Sequence, residues 1–182
     1  MINLAKLNLL FFLIILCTAT AGCSKPESEP VSTGENDTGF QVDFMLPVEW
    51  EAFEVADNRY GGKDTSIITN EGSLVTVHST NTNTFDEENA KEYFLKLHVS
   101  SSLPDGEIRE SAKIDFGEVD REGFQGLFAK VKTPEPNLAD YTIEVFFPST
   151  ASAQRVVVYN TPEGLRKNVN EKQNDFLKMM VQ

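Results

Sequence analysis

Both cysteines of this 182-residue chain, Cys17 and Cys23, lie within its first 23 residues. Everything downstream must therefore fold without an internal disulfide and without a thiolate metal site. Stability has to come from burial of apolar surface, and residues 40–182 are enough to bury a core of that kind.

The cysteines themselves sit in a segment with a different logic. Lys6 is the only charged side chain among residues 1–24, and Leu7–Leu16 follows as an almost unbroken apolar run. The run is about 10 residues, or roughly 15 Å as a helix, whereas a membrane-spanning helix needs roughly 20. Small and weakly polar residues then lead to Cys23. A charged head, a short apolar stretch and a small-residue site together predict a secretory signal over residues 1–22. Thr20-Ala21-Gly22-Cys23 resembles the lipobox of bacterial lipoproteins. That resemblance implies cleavage before Cys23, a diacylglycerol on its thiol and acylation of the new N-terminus. Ala21 and Gly22 match the pattern, while Thr20 departs from the usual Leu, and Cys17 follows the bulky Leu16. The alternative is an ordinary signal peptide that happens to contain a cysteine. Two or more acyl chains hold a protein on a membrane, at about 0.8 kcal/mol per buried CH₂. Ser24 stands where an Asp would mark inner-membrane retention in enteric bacteria. The resemblance thus implies a lipid-anchored protein of the cell envelope facing the periplasm, with the outer membrane favoured over the inner.

Residues 23–39 read as the lipidated cysteine and a flexible linker. Ser24–Gly39 is rich in Ser, Pro, Glu and Gly, with Val31 as its one apolar residue, too little to bury. The chain carries 28 acidic against 16 basic side chains, a net charge of −12. Repulsion from phosphates argues against a nucleic-acid partner and against a surface that hugs anionic lipid. The same charge permits attraction to a cationic partner, or simply keeps the protein soluble.

Residues 40–182 read as a single domain. Phe40, Val42, Phe44 and Leu46 alternate with polar residues and Met45, which predicts an opening strand ended by Pro47, with Trp50 just beyond. Ser66–Thr69 and Ser73–Ser79 flank the turn-forming trio Asn70-Glu71-Gly72 and predict a hairpin. Thr84-Phe85-Asp86-Glu87 fits a capping box, and Ala90, Tyr93, Phe94 and Leu97 recur at helical spacing. Ser100–Gly106 reads as a loop, and Glu107–Val119 as a weak strand region broken near Gly117. Phe124–Thr133, Tyr141–Phe147 and Arg155–Asn160 follow as strands, the last β-branched enough to be central. Thr161-Pro162 is expected to break the sheet. A closing helix near Glu163–Val181 sets Leu165, Val169, Phe176 and Met180 on one side. The order predicts an α+β fold, an antiparallel sheet covered by helices.

Phe44-Met45-Leu46-Pro47-Val48-Glu49-Trp50, the mid-chain helix, Glu122-Gly123-Phe124-Gln125-Gly126 leading into a strand, and the closing amphipathic helix resemble the PsbP-like group. The group is named for an extrinsic photosystem II subunit and includes bacterial envelope lipoproteins. Its members often carry Gly before the Trp, where this chain has Glu49. The resemblance implies an α/β/α sandwich and supplies no shared catalytic residues.

Candidate chemistry is sparse. Trp50, after a Pro turn, reads as a core or rim anchor. His78 lies on a strand with Val75 and Val77, and His98 ends the first helix, where a cation suits the dipole. Their spacing matches no zinc motif, so neither a metal nor another cofactor is expected. No Gly-x-Ser-x-Gly elbow is present. Asp86-Glu87-Glu88 suits a helix N-terminus, and neither it nor Asp105-Gly106-Glu107 supplies a full calcium loop. The loop Asp57–Asp64, with Arg59, Tyr60 and Lys63 beside Gly61-Gly62, is the candidate partner loop, against the plainer reading of a connection. The expected function is a non-enzymatic envelope lipoprotein, an accessory or binding module for another envelope protein. The alternatives are a carrier of a small apolar ligand, from the aromatic richness, and an inhibitor of a cationic enzyme such as lysozyme, from the acidic charge.

Overall fold

The computed structural model describes residues 44–80, 85–103, 107–134, 138–148 and 154–181. The predicted signal, Cys23 and the predicted linker lie outside the described residues. Among those described, no helix is long and apolar enough to cross a membrane.

The strands are β1 (Glu51–Asp57), β2 (Lys63–Ile68), β3 (Leu74–Thr80), β4 (Lys113–Arg121), β5 (Phe124–Lys132), β6 (Tyr141–Phe146) and β7 (Gln154–Pro162). The helices are α1 (Glu87–Ser102), α2 (Glu107–Ser111) and α3 (Arg166–Met180), the last preceded by a 3₁₀ turn over Glu163–Leu165. All strand pairs are antiparallel, in the order β1-β2-β3-β7-β6-β5-β4. The sheet is therefore two meanders. After β3 the chain leaves through α1 and α2, restarts at the far edge with β4, and works back until β7 pairs with β3.

Alternation along the central strands builds one core on each face. Val157 and Tyr159 of β7 join Trp50, Ala52, Val75, Val77, Phe146 and, from α3, Phe176, Leu177 and Met180. Val156 and Val158 join Ala129, Val131, Ile143, Val145 and, from α1, Ala90, Phe94, Leu95 and Val99. The fold is α+β, with a helix layer on each face of one sheet. Phe94, Phe146 and Phe176 are at most 1% exposed, and each such burial is worth about 1.5–3 kcal/mol. Trp50 is core, its ring 5.0 Å from that of Phe176.

Several expectations need correction. No strand forms over Phe44–Leu46; Phe44 instead packs edge-on against Phe176, 5.9 Å between centroids. Phe40–Asp43 lie outside the described residues. The first described strand is Glu51–Asp57, hidden in the sequence by its charged ends and by a register shift between Ala52 and Glu54 that turns Phe53 outward. The helix cap is Asp86, whose side chain accepts from the Asn89 amide, not Thr84, which is outside the described residues. The buried face of α1 is Ala90, Phe94, Leu95 and Val99, while Tyr93 and Leu97 are 39% and 42% exposed. Helix α1 runs on through Ser102, into the expected loop. Glu107–Ser111 is a short helix, and β4 passes through Gly117 unbroken. Gly117 lies opposite Phe128, whose ring stands where a Cβ would be, at 2.7 Å. Thr161 and Pro162 do not break the sheet but pair with Thr142 and Tyr141. On α3 the buried stripe is Gln173, Phe176, Leu177 and Met180.

The turn before β1 explains the Glu49 departure noted above. Trp50 donates its amide to Pro47 O at 3.1 Å, and Glu49 has φ 74°. A turn with its third residue left-handed is where Gly is favoured. Here the Glu49 carboxylate is held by Lys172 at 2.9 Å and Asn70 at 2.8 Å.

Candidate functional site

The hairpin β2–β3 sets Asp64 directly opposite His78. His78 lies on the α1 side of β3, since its neighbours Val75 and Val77 belong to the opposite core. Its Nδ1–H donates to Asp64 Oδ1 at 2.8 Å, and its ring stacks on Phe94, 4.2 Å between centroids. One helical turn beyond Phe94, α1 delivers His98, and the two Nε2 atoms stand 2.9 Å apart. At that separation one nitrogen carries the proton and the other accepts it.

Burial, with His78 as the second cause, pushes His98 down to about 4, and Asp64 only partly offsets this. His98 is thus a neutral, packed imidazole well inside α1, not a cation capping its C-terminus. Burial works against the Asp64 carboxylate, but its bonds to His78 and Asn58 outweigh that and hold it below the ordinary carboxylate range.

Asn58 ties this cluster to the candidate loop. Its Nδ2 donates to Asp64 Oδ1 at 2.9 Å and to Ser79 O at 2.8 Å. Its Oδ1 accepts the amides of Tyr60 and Gly62, both at 3.0 Å. The side chain thereby closes the loop as a backbone turn would. Thr80 Oγ1 adds a bond to Tyr60 O at 3.0 Å. Gly62 must be glycine, because a Cβ there would fall 2.0 Å from Ser79 O.

So held, the loop presents its side chains against α1. Tyr60 packs edge-on against Phe85 at 4.7 Å and Phe94 at 6.2 Å. The exposed Arg59 guanidinium lies 4.9 Å from the Tyr60 ring and 5.4 Å from the Tyr93 ring, and donates to the Tyr93 hydroxyl. With Leu97 one turn on from Tyr93, this makes a surface patch of one cation, the half-buried Tyr60 ring and the exposed Tyr93 and Leu97 side chains. Lys63 starts β2 and faces Asp57, at 3.1 Å. Of the three loop residues singled out in the sequence, Arg59 and Tyr60 thus come together, while Lys63 is engaged elsewhere. Sequence reading included Asn58 and Asp64 in the candidate loop without giving them a role, and took Tyr93 only as part of the apolar face of the helix. It treated His78 and His98 as separate.

A groove of about 740 Å³ lies between α1 and strands β4 and β5, with Leu95, Phe116 and Leu127 apolar and Glu88, Lys91 and Glu118 polar among its lining. Phe116 is 58% exposed there.

No family model matches this chain, and no curated protein matches it. Among solved structures it is similar to the solution structure of cyanobacterial PsbP (CyanoP) from Synechocystis sp. PCC 6803. The identity is 11% and the TM-score 0.44, covering 75% of this chain and 83% of that one.

Proposed function

We propose that this chain is a lipid-anchored, non-enzymatic accessory protein of a bacterial cell envelope, which docks another envelope protein through the patch of Arg59, Tyr60, Tyr93 and Leu97. The signal over 1–22, the lipid on Cys23, the periplasm-facing address and the PsbP-like reading of the fold belong to the same proposal. The observation that carries it is the stacking of an exposed Arg between two tyrosines on a loop fixed by Asn58. Arg and Tyr anchor protein interfaces disproportionately, and side chains already ordered lose little entropy on docking. A photo-cross-linking residue placed at position 97 in intact cells, with the adducts read by mass spectrometry, tests it. One dominant protein adduct is expected, lost in Arg59→Glu; a scatter of abundant envelope proteins, unchanged by that substitution, counts against docking. Fractionation tests the anchor separately: Cys23→Ser should move the protein from the membrane to the soluble fraction.

The groove beside Phe116 supports a second reading, a carrier of a small apolar ligand. Its volume is in the range of small-molecule sites. Native mass spectrometry of protein purified from its own cells would show a bound mass that Phe116→Glu removes.

A further inference from the structure

The chain contains two histidines, and the fold brings both to one point from separate elements, β3 and α1. We propose that the Nε2 atoms of His78 and His98 form a site for one exchangeable divalent transition-metal ion of the imidazole-preferring kind, Zn²⁺ or Cu²⁺.

The argument is one of distances. Metal–imidazole bonds of about 2.0–2.1 Å drawn from nitrogens 2.9 Å apart meet at about 90°. That is the angle between adjacent ligands in tetragonal coordination, the geometry of Cu²⁺ with nitrogen and oxygen donors. A tetrahedral ion would need the nitrogens about 3.3 Å apart, a spread of roughly 0.4 Å. The two rings meet head-on, their centroids 5.2 Å apart, so taking up an ion requires each ring to pivot by roughly 35–45° until its lone pair meets the cation.

Asp64 gives an independent indication. Its carboxylate accepts Nδ1–H of His78 at 2.8 Å and is itself oriented by Asn58. A carboxylate behind an imidazole fixes the tautomer that leaves Nε2 free for a metal and makes that nitrogen more basic, the arrangement found behind metal-bound histidines. His98 is half-buried, so the pair has an edge on solvent from which water can complete the coordination. Among the described residues no group of three or more His, Cys, Asp or Glu converges to hold an ion. A two-imidazole site binds reversibly and does not serve as a folding staple. This inference does not depend on whether the patch docks a protein.

The test uses the full chain without a histidine tag, and Zn²⁺ and Cu²⁺ chlorides as probes. Because the chain has two histidines, its imidazole nitrogen spectrum has two residues to follow. Zn²⁺ should shift both together and saturate at one equivalent, and Cu²⁺ should give an electron paramagnetic resonance spectrum split by two nitrogens. His98→Gln keeps an N–H for His78 Nε2 but removes the ligand, and should weaken binding by about a hundredfold with an unchanged circular dichroism spectrum. Asp64→Asn should weaken it by roughly tenfold through loss of the supporting carboxylate. Equal binding by the parent and His98→Gln overturns the proposal. So do imidazole signals that stay in place under excess Zn²⁺, a result that decides the matter even if a variant fails to fold.

Discussion

On the α3 side of the sheet, Glu144 gives both carboxylate oxygens to arginines, Oε2 to Arg121 and Oε1 to Arg166. On the α1 side, His78 and His98 divide one proton between two nitrogens. Each cluster has a buried member at its centre, Glu144 in one and His78 in the other, but they differ in what they leave available. Glu144 is 2% exposed and Arg121 8%, and each charge is offset by its neighbour. Nearby, Tyr159 donates to Gln173 O at 3.0 Å, and the Gln173 amide donates to Thr161 at 3.2 Å. That cluster is closed in the sense that both oxygens of its carboxylate are taken up in holding β6, β4 and α3 together, while Arg121 Nε and Gln173 Oε1 are buried without a hydrogen-bond partner among the described residues. The histidine cluster holds one proton for two acceptor nitrogens and stands beside a surface patch. The difference separates a polar group that specifies packing from one that can still take a ligand.

The closed cluster should be the costlier to break. Glu144→Ala leaves two arginines facing a buried void and is expected to lower stability by about 3–5 kcal/mol in urea unfolding. Replacing Glu144 and Arg121 together by Leu and Met should recover most of that loss. If it does not, the pair does more than offset its own charge.

Acid should single out the open cluster. His98 takes its proton near pH 4 in the folded protein and near 6.5 when unfolded. Between those values the unfolded chain binds the extra proton, so this contribution is complete above pH 6.5 and is lost as pH falls towards 4. At about 1.4 kcal/mol per pH unit the loss reaches a few kcal/mol in metal-free protein. Asp64 adds a further loss below its ordinary range, because its folded value is depressed. Urea midpoints measured across that range should fall in the parent protein and stay flatter in His98→Gln. Equal slopes would mean that the imidazole is not buried in solution.

Asn58→Ala removes four side-chain hydrogen bonds from the loop beside the histidines. We expect a loss of about 1–3 kcal/mol, smaller than for Glu144 because the loop can rehydrate. Amide exchange at Tyr60 and Gly62 should rise with it. Glu49→Gly, apart from both clusters, is the smallest change. It relieves a left-handed conformation costing about 1–2 kcal/mol and gives up an exposed ion pair worth less, so slight stabilisation is expected.

The layers of the fold were legible because β-branched and aromatic residues run together where strands are buried on both sides. Arg155–Asn160 was readable as a central strand for that reason, and β7 does lie mid-sheet. The edges were not legible. β1 interrupts its own alternation at Phe53, and β4 carries charges and a glycine whose reason is the ring of Phe128 on the next strand. Part of the site was within reach. The expected hairpin around Asn70-Glu71-Gly72 already implies, counting outward residue by residue, that Asp64 faces His78. His98 was beyond reach, because its place depends on how α1 is rotated. The apolar residues at 90, 93, 94 and 97 allow a face centred one step away from the true one, and only docking on the sheet decides that Phe94 and His98 point inward together.

The join between the two meanders also governs how the chain gets to this state. β3 meets β7 along a register running from Leu74↔Asn160 to Thr80↔Gln154, so the pairing must bridge everything from α1 through β6. Closing so long a segment is slow relative to forming the local hairpins on either side. Until it closes, Val75–Val77 and Val156–Val158 are unpaired, apolar strand edges, the kind that recruit other chains. The central seam, the most protected part of the finished protein, should therefore be its most aggregation-prone part while it folds.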